Sequence, residues 1–133
     1  MTGPIESQAR AMPAAVLKEI LAAKPPNLHL LDVRSRQEYE KGHVPGSLHC
    51  PVHDLSRRVG ELPPRVSTVL VIGDPGRRSQ GAAVFLLLAG FSGVAVLEGG
   101  WPAWDGPAET GPGTPLSSAH PPLPPGWVDP PAR

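Results

Sequence analysis

The stretch VLVIGDPGRRSQGAA, residues 69–83, decides how the rest of the chain is read. It opens on an apolar run of the kind found in a strand buried on both faces, crosses a loop of Gly, Asp, Pro and Arg, and enters a helical pattern that ends at Gly90. A loop between a strand end and a helix start is where α/β proteins place anion sites and nucleophiles, because backbone N–H groups and the helix dipole converge there. This loop holds no nucleophile of the kind such sites use.

Working outward, helix-like and strand-like segments alternate, which predicts a parallel sheet with helices on its faces. PAAVLKEILAAK (13–24) sets Pro13 in the first-turn position, with Val16, Leu17, Ile20 and Leu21 on one stripe, and stops before Pro25 and Pro26. LHLLDVR (28–34) reads as a buried strand. In SRQEYEKG (35–42), Ser35 and Glu38 stand in capping-box spacing and Gly42 supplies a stop. VPGSLHCPV (44–52) reads as a turn and a brief strand, DLSRRVGEL (54–62) as a helix beginning at Asp54, and STVLVI (67–72) as a buried strand. GVAVLEGG (93–100) is another strand and WPAWDG (101–106) a last helical turn. Four or five parallel strands with short helices between them make a small three-layer α/β domain, whose ligand site lies outside the carboxyl ends of its strands.

The chain has 133 residues, enough for one domain and a tail. Twelve basic and twelve acidic side chains cancel, so bulk charge recommends neither nucleic acid nor an anionic membrane as a partner. Nine of the 19 prolines follow Asp105, which divides the chain into an N-terminal extension (1–9), a compact domain (10–105) and a Pro/Gly-rich tail (106–133). The single cysteine, Cys50, excludes an internal disulfide and a multi-cysteine metal site. His29, His43, His49, His53 and His120 are scattered without metal-ligand spacing, so neither a metal nor a cofactor is expected. The N-terminus lacks the apolar run of a signal peptide, and AAVFLLLAGF is too short to cross a bilayer; a cytoplasmic location is the expectation.

LLDVRSRQEYEKGHVPGSLHCPV, the strand and loop of VLVIGDPGRRSQGAA, and GFSGVAVLEGGWPAW, three separated motifs in the right order, resemble a single-domain rhodanese, the fold of the thiosulfate sulfurtransferases. The resemblance implies a parallel sheet of about five strands flanked by helices, with a catalytic cysteine opening the loop after the fourth strand. Counting back from GRRS puts Gly73 at that position. A rhodanese carries sulfur as a persulfide on its cysteine, and glycine offers no side-chain atom to load. The loop from Gly73 to Arg78 has six residues, a length that resembles the sulfurtransferases rather than the related phosphatases.

The candidate anion- or ligand-binding loop is Gly73, Asp74, Pro75, Gly76, Arg77, Arg78 and Ser79. Pro75 removes one N–H donor and Asp74 adds a negative charge, and both oppose anion binding. Arg78 matches the family's loop arginine; it either holds an anion or pairs with Asp74, and Ser79 is placed to help cap the helix. Asp32 and Arg34 match a family pair that braces loops at the sheet's carboxyl edge. His43, in GHVPG, reads as a turn-fixing residue, Gly99, Gly100 and Trp101 as a closing turn, and Trp104 as core. Cys50 reads as a small buried hydrophobe about two strand spacings, ~10 Å, from the loop. In the tail, PPLPPGW docks on a partner's aromatic groove, folds back on its own domain, or is a disordered linker end. Two functions remain open: a domain that has lost sulfur transfer and serves as a binding or regulatory module for a protein partner or small anion, or a sulfurtransferase with chemistry persisting at the 73–78 loop.

Overall fold

The computed structural model describes residues 9–115, apart from 24, 26, 75 and 76. Pro75 and Gly76 of the loop, and the tail from residue 116 onward, therefore lie outside the described residues. The α/β elements are β1 (Arg10–Met12), α1 (Ala14–Ala22), β2 (Leu28–Asp32), α2 (Arg36–Lys41), β3 (Leu48–His49), β4 (Thr68–Ile72), α3 (Arg78–Leu88), β5 (Gly93–Leu97) and β6 (Thr114–Pro115). The strands form one parallel sheet in the order β1-β5-β4-β2-β3-β6, five strands with a two-residue sixth at one edge.

β4 lies inside the sheet because every one of its last four side chains is apolar. Val69, Leu70, Val71 and Ile72 are fully buried. Val69 and Val71 pack with Leu31, Ala82 and Leu86 on the α3 side, whereas Leu70 and Ile72 pack with Leu17, Leu30 and Leu97 on the α1 side. With both faces covered, the two-residue alternation of a strand becomes an unbroken apolar run. Burial of each such side chain contributes about 1.5–3 kcal/mol, which fixes β4 in the middle of the sheet.

α2 is held by the capping box expected from its sequence. The Glu38 N–H donates to Ser35 Oγ at 3.2 Å, and the Ser35 N–H donates to Glu38 Oε1 at 3.0 Å. Among the described residues, no helix is long and apolar enough to cross a membrane.

The stretch 54–62 departs from expectation. In place of a helix starting at Asp54, two 3₁₀ turns form, Val52–Asp54 and Val59–Glu61, with Arg58 between them at φ −116°, ψ 20°. Pro63 forces Leu62 into extended backbone (φ −74°, ψ 161°), so a helix here would be cut too short to repay its nucleation. The turns still bury Leu55 and Leu62 in the core.

Composition assigns residues 106–115 to the tail, yet they run along the β3 edge as a strap. Trp104 Nε1 donates to the Pro107 carbonyl at 2.8 Å. His43 and Glu109 exchange backbone hydrogen bonds of 2.9 and 2.8 Å, and the Gly111 N–H donates to the Glu40 carbonyl at 2.8 Å. β6 then pairs with β3, Leu48 opposite Thr114 and His49 opposite Pro115. A sheet edge is where proline, lacking an N–H, is tolerated.

Candidate functional site

The loop after β4 is built against the closing turn after β5. The Gly73 carbonyl accepts the Trp101 N–H at 2.7 Å. Gly100, in left-handed backbone at φ 67°, approaches so closely that a Cβ on it would lie 2.5 Å from that carbonyl oxygen. On the other side, a Cβ on Gly73 would lie 2.9 Å from Ser79 Cβ and 3.2 Å from the Ser79 nitrogen. The first turn of α3 thus occupies the space where a side chain at position 73 would begin. Ser79 is buried there, one residue inside α3, and does not cap it: the N-cap residue is Arg77, which gives no side-chain cap.

Arg78 is the centre of charge at this loop. Its guanidinium forks onto Glu38, with Nη1 2.7 Å from Oε1 and Nη2 2.9 Å from Oε2, and Nη2 also donates to Asp74 Oδ2 at 3.0 Å. The fork holds the Glu38 carboxyl down at about 2, desolvation opposing and the Ser35 bonds assisting. The two carboxylates raise the already high Arg78 basicity. One glutamate therefore closes the α2 capping box and ties α2 to the start of α3. Both terminal nitrogens of Arg78 are committed, and an anion approaching the loop meets two carboxylates, Glu38 and Asp74, that are about 40% exposed (42% and 38%).

A different pair stands at the end of β2. Arg34 Nε lies 3.0 and 3.2 Å from the Asp32 oxygens and Nη2 lies 2.7 Å from Oδ2, while Nη2 also donates to the Gly42 carbonyl at 2.7 Å and Nη1 to that of Glu38 at 3.3 Å. Both side chains are nearly sealed, at 5% and 0% exposure. The Trp101 ring covers the guanidinium at 4.8 Å, and His49 Nε2 donates to the Arg34 carbonyl at 2.8 Å. Burial pushes the His49 titration below the usual imidazole range, with the Arg34 carbonyl and Asp32 opposing.

Cys50 is fully buried in the core beneath α3. Desolvation pushes its thiol up to about 11, so at neutral pH it is neither exposed nor ionised. Beside the loop, on the β1 and β5 side, a cavity of about 240 Å³ is lined by Asp74, Ser79, Gln80, Glu98 and Ala83. Sequence reading brings Asp74 to Arg78, but Glu38 enters the cluster from a helix forty residues away in sequence. Its signal is the register: Asp32 pairs with Ile72, so the segments that follow β2 and β4 leave the sheet side by side.

A family model for the rhodanese-like domain matches residues 13–106. YrkF of Bacillus subtilis, a candidate sulfur carrier protein by name, is 37% identical over 83 residues, 62% of this chain but only 44% of that relative. Thiosulfate sulfurtransferase GlpE of Pseudomonas fluorescens is 37% identical over 90 residues, 65% of this chain and 80% of GlpE. Among solved structures, the Alr3790 protein from Anabaena superposes with a TM-score of 0.69 at 34% identity, covering 74% of this chain and 80% of that one. Thiosulfate sulfurtransferase from Pseudomonas aeruginosa superposes with a TM-score of 0.70 at 27% identity, covering 83% of this chain and 22% of the larger protein.

Proposed function

The chain belongs to the rhodanese-like domain family, and from that premise we propose that it is a member without sulfur transfer, acting as a binding or regulatory module at the 73–79 loop. One observation carries the reading. Where the family resemblance sets the sulfur-carrying cysteine stands Gly73, and Ser79 Cβ lies 2.9 Å from where a side chain there would start. Sulfur relay needs a thiolate that attacks the donor and holds the sulfur as a persulfide until an acceptor thiol or cyanide removes it. Neither Gly73 nor buried Cys50, whose thiol titrates at about 11, supplies one.

The electrostatics favour the same reading. A loop serving thiosulfate must offer uncommitted positive charge and N–H donors, whereas here Arg78 is divided between Glu38 and Asp74, and Pro75 has no N–H to give. What the edge offers a partner is a rigid, mixed-charge surface on a fixed sheet. The relatives named for sulfur transfer or carriage favour a second reading, a sulfurtransferase with chemistry persisting at the 73–78 loop.

Both readings are tested with the purified full chain. On the first, turnover of thiosulfate with cyanide stays at the level of a heat-killed control, no 32 Da adduct appears after exposure to thiosulfate, and Cys50 reacts with a thiol reagent only on unfolding. Turnover above that control overturns the first reading, and turnover that survives Cys50→Ala establishes the second.

A further inference from the structure

The cavity beside the β4 loop borders a buried hydroxyl that the fold leaves without a bond. Ser79 lines the cavity and is only 4% exposed, and its Oγ makes no hydrogen bond to a described residue. A buried polar group without a partner costs free energy, which a ligand with a complementary group recovers. Glu98, which also lines the cavity, is exposed, and its carboxylate forms no ion pair with a described residue. Asp74 adds a second carboxylate to the lining. The rest of the wall is apolar and made of small side chains. Ala11 lies opposite Val96 in the sheet, and strand alternation sets it on the α3 face with Ala9, against Ala83.

We propose that this cavity takes a primary ammonium group on an alkyl stem, presented as a lysine side chain by a protein partner. The inference rests on the reading of the 73–79 loop as a binding module, and it names what the module binds. The ammonium donates to Ser79 Oγ between the Asp74 and Glu98 carboxylates, and its methylenes lie on Ala11, Ala83 and Val96. A hydroxyl serves either sign of charge, since it both donates and accepts; the two carboxylates decide for the cation. The three acceptors come from three separate segments, the β4 loop, α3 and the end of β5. That suits the rotatable donors of an ammonium better than the planar fork of a guanidinium.

The chain's own positive charges do not fill this place. No lysine or arginine is among the described residues that line the cavity. Arg78 is divided between Glu38 and Asp74, and Arg77 is exposed outside the lining. Arg10 alternates with Ala9 and Ala11 along the strand, so it faces the α1 side, as Met12 does. The positive end of α3 is turned elsewhere too. The Ser79 nitrogen lies 3.2 Å from where a Cβ on Gly73 would stand, so the first-turn N–H groups run toward the β4 loop. Ser79, Gln80 and Ala83 present the flank of the helix, not its end, to the cavity.

The test is an amide NMR titration of the full chain with Nα-acetyl-lysine amide. Two probes run in parallel: Nα-acetyl-norleucine amide, which keeps most of the stem and lacks the charge, and thiosulfate. Saturable shifts of the Ser79, Gln80, Glu98 and Gly99 amides are expected with the lysine probe, and binding about tenfold weaker with the norleucine probe. Glu98→Gln, at an exposed position where folding is not at stake, is expected to weaken lysine binding about threefold. Ala11→Leu, on the edge strand, is expected to abolish it by filling the space for the stem. Equal affinity for the norleucine probe, saturable thiosulfate binding at the same amides, no saturable shift, or unchanged affinity in either variant overturns the assignment. None of these results restores sulfur transfer, which the turnover assay decides separately.

Discussion

Two aspartate–arginine pairs stand at the carboxyl ends of adjacent strands, Asp32–Arg34 after β2 and Asp74–Arg78 after β4, and burial separates them. The first is sealed, capped by Trp101, and every nitrogen of its guanidinium donates to the protein. The second is about a third exposed, and it borrows Glu38 to complete its fork. The same chemical groups make a scaffold where water is excluded and an adjustable surface where it is not. A charge inside low dielectric has no substitute for its partner, whereas a charge at the surface always has water.

The most severe way to break the contrast is to cut both arginines. Arg34→Ala leaves Asp32 buried without its counter-charge and is expected to lower stability by about 3–5 kcal/mol in urea unfolding. Arg78→Ala, with solvent to replace it, is expected to cost about 1 kcal/mol or less. Equal losses would mean that burial is not what distinguishes the pairs.

A second experiment asks whether the β4 loop has closed around its glycine. Gly73→Ala drives a methyl toward Ser79 Cβ and is expected to cost about 1–3 kcal/mol through overpacking. Combined with Ser79→Gly in a double-mutant cycle, the two should couple favourably by more than about 0.5 kcal/mol. Strict additivity would show that the start of α3 yields without resistance.

The smallest expected effect is on Glu38. Its carboxyl is lowered from an ordinary 4.5 to about 2, so its contribution is complete above about 4.5 and is lost as pH falls through about 2. Because the side chain is 42% exposed, screening reduces that contribution to about 1 kcal/mol. The stability gap between wild type and Glu38→Gln should be of that size at neutral pH and shrink on acidification from about pH 4.5 to about pH 2. A gap that persists at about pH 2 would assign the loss to packing.

Much of the fold was legible because each local signal agreed with the global one. The apolar run 69–72 announced a strand covered on both faces, and Ser35 with Glu38 announced the start of α2. The segment 54–62 misleads because Leu55, Val59 and Leu62 keep helical spacing even though Pro63 denies them the length. The strap escapes a reading of composition because proline and glycine counts describe backbone freedom, while the strap is held by carbonyls and N–H groups of residues 40, 43, 109 and 111, which leave no mark in side-chain composition. At the candidate site, Asp74 with Arg78 was readable from a one-turn spacing. Glu38 was not: its capping role already explained it, and nothing local signals a second one.

The strand order also sets a schedule for a chain emerging from the ribosome. Arg10–Met12 is made first, yet its partner in the sheet is Ala95–Leu97, so β1 waits while almost the whole domain is translated. The nascent chain can join β2 to β3 and then to β4, but the far side of β4 has no neighbour until Gly93–Val96 arrives. During that interval Val69 to Val71 present an open backbone ladder on an apolar strand, the feature that pairs most readily with a sister chain on the same message.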